Sequence, residues 1–189
     1  MRASLRILAR EHLALRALAR IIGLEAELLR RDGRADAGLL RHIAAYIAEF
    51  PNRIHHPKEE DHLFRRMRAR APERCQAVLD RLLAEHVKEG ESIAGFLAAL
   101  DDYAAGTAGA AGRLADIAAS YARHLERHIE FENTEAFPLA EAVLQDADWQ
   151  AIDAAFAAND DPLVSGAPGS RFSDLHRRIM ALGALPPGL

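Results

Sequence analysis

Two stretches of this chain carry the same pattern of chemically active side chains. His55-His56-Pro57-Lys58-Glu59-Glu60-Asp61-His62-Leu63-Phe64 and His128-Ile129-Glu130-Phe131-Glu132-Asn133-Thr134-Glu135-Ala136-Phe137 both read H-x-x-x-E-[EN]-x-x-x-F. On a helix, i,i+4 spacing sets a histidine and a glutamate on one face, one turn apart. Two further histidines, His12 and His86, fall within apolar seams of other segments. Together they direct four imidazoles and two carboxylates inward. Buried carboxylates and imidazoles are costly without partners. Metal cations resolve both costs at once, because imidazole suits iron, zinc, copper or nickel and a carboxylate can bridge two ions. Two bridging carboxylates with two histidines per ion leave positions free for a small ligand such as dioxygen.

The first stretch offers two pairs, His55 with Glu59 and His56 with Glu60. Adjacent residues of an α-helix point about 100° apart, so both pairs are not expected to face one core. The second stretch selects between them. Phe64 follows His55 by nine residues as Phe137 follows His128, and Glu60 takes the place of Asn133. The His55 register is therefore predicted to face inward, leaving His56 and His62 on or near the surface. His124 lies one turn before His128. It is read as a ligand, a partner behind a ligand, or a pocket-lining group. Tyr121 reads as core packing, with a hydrogen bond to a bound ligand as the sharper alternative, Cys75 as a structural thiol, and His42 and His176 as residues without a site role.

These side chains need long helices to position them. Leu5, Leu8, His12, Leu15, Ala19, Ile22, Ala26 and Leu29 recur at alternating three and four residues, which predicts a first helix over about 4–30. Leu40, Ile43, Ile47, Phe50 and Ile54 carry a second, starting near Asp36. Pro51 and Pro57 predict a kink or short break over 50–57, with helix resuming from 59 to 70. A third helix, about 72–100, shows Leu79, Leu82, His86, Gly90, Ile93, Leu97 and Leu100 on one stripe. Residues 101–112, rich in glycine and alanine, read as a flexible linker. A fourth helix is expected over 113–142. Short links between such rods favour antiparallel neighbours, so an up-down four-helix bundle over 1–145 is the economical fold. Residues 146–189 read as a helical tail packed on it: a helix over 148–158, a loop over 159–170, a second short helix over 171–182, and a Pro186-Pro187-Gly188 end.

Composition agrees with an all-α class and narrows the function. Among 189 residues there are 39 alanines but only six valines and threonines. A single cysteine excludes an intramolecular disulfide and a cysteine-based zinc site. With 24 Lys and Arg against 28 Asp and Glu, the net charge of −4 disfavours nucleic acid as a partner. The run Arg65, Arg66, Arg68, Arg70 reads as a solvated helix end. No apolar run reaches the roughly 18 residues of a membrane span. Arg2, Arg6 and Arg10 interrupt any secretory stretch, so the expectation is the reducing cytoplasm.

The residues around both motifs resemble the hemerythrin family, in particular its bacterial HHE cation-binding branch. The most specific segments are Phe50-Pro51-Asn52-Arg53-Ile54-His55-His56-Pro57-Lys58-Glu59-Glu60 and His128-Ile129-Glu130-Phe131-Glu132-Asn133, with Phe137-Pro138 following. The resemblance covers about residues 4–142. It implies that His12, His55, Glu59, His86, His128 and Glu132 hold a non-haem di-iron centre with both glutamates bridging. Oxygen-carrying hemerythrins place an i,i+4 histidine pair on the third helix and an aspartate on the fourth. Here the third helix has His86 and the fourth a His-x-x-x-Glu pair. That difference moves the expectation toward binding or sensing of dioxygen or nitric oxide, or toward iron handling. A di-iron oxidase or an iron–sulfur cluster repair factor is the alternative, and enzymatic activity is the less expected outcome. A homodimer or a separate protein partner would carry any signal output.

Overall fold

The computed structural model describes residues 2–157 together with Phe172, Asp174, Leu175 and Arg177. The expected loop over 159–170, the Pro-Gly end, His176 and most of the expected helix over 171–182 lie outside the described residues. Those described are helical with short connections, and no helix among them is long and apolar enough to cross a membrane.

Helix α1 spans Ala3–Asp32. Its seam of Leu5, Leu8, His12, Leu15, Ile22, Ala26 and Leu29 is buried, as the three-four periodicity requires. Gly33 ends it in the left-handed conformation at φ 67°, where an L side chain would be strained, and its N–H closes on Leu29 O at 3.0 Å. Asp36 then caps α2 (Ala37–Glu49) by accepting from the Leu39 N–H at 2.9 Å.

The expected break over 50–57 is absent. The chain instead passes through a π-helical segment, π1 (Pro51–His55), one short α turn, α3 (His56–Lys58), and a second π segment, π2 (Glu59–Phe64), before α4 (Arg65–Arg70). Pro51 opens π1, where no inward donor is needed, and the His55 N–H reaches back five residues to Phe50 O at 3.2 Å. The helix thus passes the prolines as a widened turn and not as a break.

Helix α5 runs over Pro72–Ala104, four residues further than expected. The glycine-rich stretch read as a linker over 101–112 therefore shrinks to the turn at 105–109, because alanines at 104, 110 and 111 extend the flanking helices. Helix α6 (Ala110–Phe131) continues through π3 (Glu132–Ala136) into α7 (Phe137–Val143), and α8 (Asp146–Phe156) follows.

Ion pairs show how the helices run. Arg2 with Asp146, Arg16 with Glu130, and Arg30 with Asp116 tie α1 to the segment ending in α8, one number rising as the other falls. Arg41–Asp101 and Arg68–Asp80 do the same for the 37–70 segment and α5, as Arg113–Asp102 and His128–Glu85 do for α5 and α6. Each of these pairs of helices is antiparallel.

The core has two apolar parts. One gathers Leu15 to Leu29, Leu39 to Phe50, Ile93 to Leu100 and Leu114 to Ile129, with Phe172 and Leu175. The other gathers Leu5, Leu8, Leu63 to Met67, Cys75 to Leu82, and Ala136 to Leu144, with Trp149, Ile152 and Phe156 of α8. Burying each of these last three contributes about 2–3 kcal/mol, and Asp153 receives the Ser4 N–H at 2.8 Å where α1 begins. Apart from Ser4 at the start of α1, the buried polar residues of the long helices fall between the two apolar parts: Glu11 and His12, His55 to Glu59, His86 and Glu89, His128 and Glu132.

Candidate metal centre

This polar layer holds all six residues picked out by the two motifs and the apolar seams. His12, His55, Glu59, His86, His128 and Glu132 are each buried. Two tight groups form, with donor atoms mutually within 4.8 Å in each. One is His12, His55, Glu59 and Glu132; the other is His56, His86 and His128.

His56 is the correction. Expected near the surface, it is 4% exposed and stacks on His86 with ring centroids 3.9 Å apart. The five-residue hydrogen bonding of π1 spreads its residues more finely around the axis than the 100° of an α-helix, so neighbouring imidazoles both reach the centre. His55 and His56 lie edge to face at 5.4 Å, one in each group. His124 belongs to neither. It is half-buried, its ring 6.3 Å from that of His128, and it lines a cavity of about 300 Å³ between α5 and α6 with Tyr121, Lys88 and Arg127.

Behind four of the imidazoles stands an acceptor. His55 Nδ1 donates to Glu11 at 2.6 Å, His86 Nδ1 to Glu60 at 2.7 Å, His128 Nδ1 to Glu85 at 2.9 Å, and His12 Nδ1 to Asn133 Oδ1 at 3.1 Å. A carboxylate only accepts, so the proton sits on Nδ1 and the Nε2 edge is turned to the centre. There Glu132 Oε2 faces His12 Nε2 at 3.1 Å while its Oε1 faces His128 Nε2 at 3.5 Å and His86 Nε2 at 3.8 Å. Glu59 Oε2 faces His55 Nε2 at 3.6 Å and His86 Nε2 at 3.7 Å. Each carboxylate thus reaches toward both histidine groups.

None of these inward contacts is a formed hydrogen bond. Both oxygens of Glu59, both of Glu132, and the Nε2 atoms of His12, His86 and His128 are buried without a hydrogen bond. Such orphans are rare in native interiors unless something else satisfies them. The electrostatics agree. Burial and the neighbouring Glu132 push Glu59 well above the usual carboxylate range. Burial works the same way on Glu132, but the imidazoles of His128, His12 and His86 outweigh it and hold Glu132 well below. Burial, with the nearby His86, His55 and His128, keeps His56 neutral. Two buried carboxylates side by side disfavour carrying both negative charges unaided, and a cation between them relieves that repulsion. Imidazole nitrogens and carboxylate oxygens fit first-row transition ions.

Residues 3–140 match the hemerythrin HHE cation binding domain. The chain belongs to that family. Comparison with curated proteins and with solved structures found no match. The hemerythrin HHE assignment agrees with the all-α architecture and with a cation held by histidine and glutamate.

The outer acceptors were not picked out as such from the sequence, although a signal for them exists. Glu11-His12 and Glu85-His86 are adjacent pairs, as are Glu59-Glu60 and Glu132-Asn133. In every case the outer residue serves a histidine of another helix, so only the fold reveals its target. The pattern is also an internal repeat. Glu11, His12, His55, Glu59, Glu60 and Phe64 correspond in order to Glu85, His86, His128, Glu132, Asn133 and Phe137, at an offset of 73 or 74 residues.

Proposed function

We propose that this hemerythrin HHE protein carries a non-haem di-iron centre that binds or senses dioxygen or nitric oxide, or handles iron, in the cytoplasm. The centre sits in an up-down four-helix bundle of residues 1–145, with 146–189 as an extension. The reading rests on one observation above the rest. Imidazoles locked at Nδ1 by outer acceptors turn Nε2 toward two buried carboxylates whose oxygens have no partner.

In this reading His12 and His55 hold one iron, His56, His86 and His128 the other, and Glu59 and Glu132 lie between them. Bound iron supplies reversible electron transfer and affinity for diatomic ligands. The chain's own residues do the rest. Glu11, Glu60, Glu85 and Asn133 fix the tautomer and orientation of the rings, which strengthens Nε2 as a donor. The apolar parts on either side keep bulk water from the centre. The experiment is metal analysis and an optical spectrum of aerobically purified protein, followed by anaerobic reduction and titration with oxygen and nitric oxide. Two irons per chain, near-ultraviolet bands and a response to either gas are expected. One zinc and a colourless protein would overturn the reading.

A further inference from the structure

The internal repeat is broken at two buried places beside the centre, and they meet. His56 corresponds by the 73-residue offset to Ile129, and Glu89 by the 74-residue offset to Leu15. Each polar residue thus stands where the other half of the repeat has an aliphatic one. His56 Nε2 and Glu89 Oε2 are 3.8 Å apart.

Glu89 is 0% exposed. Its Oε1 accepts from the Tyr121 hydroxyl at 2.9 Å, a bond that fixes the carboxylate plane. Its Oε2 has no partner, in common with the inward oxygens of Glu59 and Glu132. Two classes of histidine–carboxylate separation exist around the centre. Outer acceptors lie 2.6–2.9 Å from Nδ1, at hydrogen-bonding distance. Four of the five inward pairs stand 3.5–3.8 Å from Nε2, too far to bond each other directly. At 3.8 Å and on Nε2, Glu89 belongs with the second class.

We propose that Glu89 is a third carboxylate of the metal centre, serving the ion held by His56, His86 and His128. The proposal rests on the two-ion reading above. Glu59 and Glu132 are shared between the two ions, and Glu89 brings a carboxylate to the three imidazoles from the side of His56. Its unpartnered oxygen is what a hard cation takes, and the hydroxyl of Tyr121 holds the other oxygen so that the carboxylate is already oriented.

The test is calorimetric titration of chelator-treated full-length protein with cobalt(II), read together with the cobalt visible spectrum. Wild type, Glu89→Gln and Glu89→Leu are compared, with helical content checked by circular dichroism. Glutamine keeps the shape and still accepts from Tyr121, and leucine is the residue the repeat carries at the equivalent position. Wild type should take up two ions. Both variants should keep one uptake step unchanged and weaken the other at least tenfold, with loss of its spectral bands. Wild-type affinity for both ions in Glu89→Gln would overturn the role of Glu89 while leaving the two-ion reading intact. Fewer than two ions in wild type would overturn the two-ion reading itself, and the proposal with it.

Discussion

Removing the metal should cost the protein a large part of its stability. Without cations, seven buried atoms are left unsatisfied: both oxygens of Glu59 and of Glu132, and the Nε2 atoms of His12, His86 and His128. An unsatisfied buried polar group costs about 1–3 kcal/mol. At the low end the seven sum to about 7 kcal/mol. Proton sharing between the carboxylates and small ring movements recover about half, leaving roughly 3–4 kcal/mol. That is a substantial share of the 5–15 kcal/mol typical of a whole domain. For a chain of this size each kcal/mol moves the melting temperature by about 2–4 °C, so chelation should lower it by about 10 °C. The assay is a thermal melt followed by circular dichroism before and after chelation, with residual metal measured in the same samples. A shift below about 2 °C in fully stripped protein would refute the reasoning.

Other outcomes follow from the same geometry. Glu132→Ala should lose most of the bound metal, since its oxygens face both histidine groups, whereas His86→Ala should retain more with an altered spectrum; full occupancy in Glu132→Ala would remove it from the bridge. His55→Ala and His56→Ala should each lose about one ion per chain, because the two rings stand in different groups; an unaltered metal content in His56→Ala would show that its burial is only structural. In the stripped protein the ion pair of His128 with Glu85 should contribute its full stability between about pH 4.5 and 6.5. Glu85 is pulled down to about 2 by its bond from His128, so its contribution is present above its ordinary value of 4.5 and lost as pH falls toward 2. Burial lowers His128, but Glu132 and Glu85 outweigh it and raise it to about 9, so its contribution is complete below 6.5 and lost as pH rises through 9. Melting temperatures of stripped protein across this range, unchanged between pH 6.5 and 9.5, would contradict the assignment.

The apolar seams make the helices legible in the sequence, and the two H-x-x-x-E motifs make the convergence of His12, His55, Glu59, His86, His128 and Glu132 legible. Two kinds of information are not local. The inward turn of His56 depends on π geometry, and an α-helical phase places it outside. Nothing in Pro51 or Pro57 alone distinguishes a widened turn from a kink. The roles of Glu11 and Glu85 depend on which helix lies opposite: each precedes a histidine of its own helix but bonds one from another. Glu89 sits three residues after His86, a spacing common on any solvated helix face. Only its burial and its empty oxygen single it out.

The π segments tie the length of these helices to their chemistry. Each begins or ends at a residue of the centre: π1 at His55, π2 at Glu59, π3 at Glu132. A π turn contains one residue more than the α turn it replaces. Removing a single codon from π2 at Asp61 would let that turn revert to α geometry. Leu63, Phe64 and Met67 downstream would keep nearly their present phase relative to His55 and Glu59, because the α turn covers the same angle with one residue fewer. What the deletion would remove is the widened turn itself, and with it the finer angular spacing that lets neighbouring side chains share one face. Asp61 and its counterpart Thr134 are solvent-exposed, so what they add is the width of the turn they stand in. Such a residue contributes room, because it sets how many side chains one turn can present to the centre.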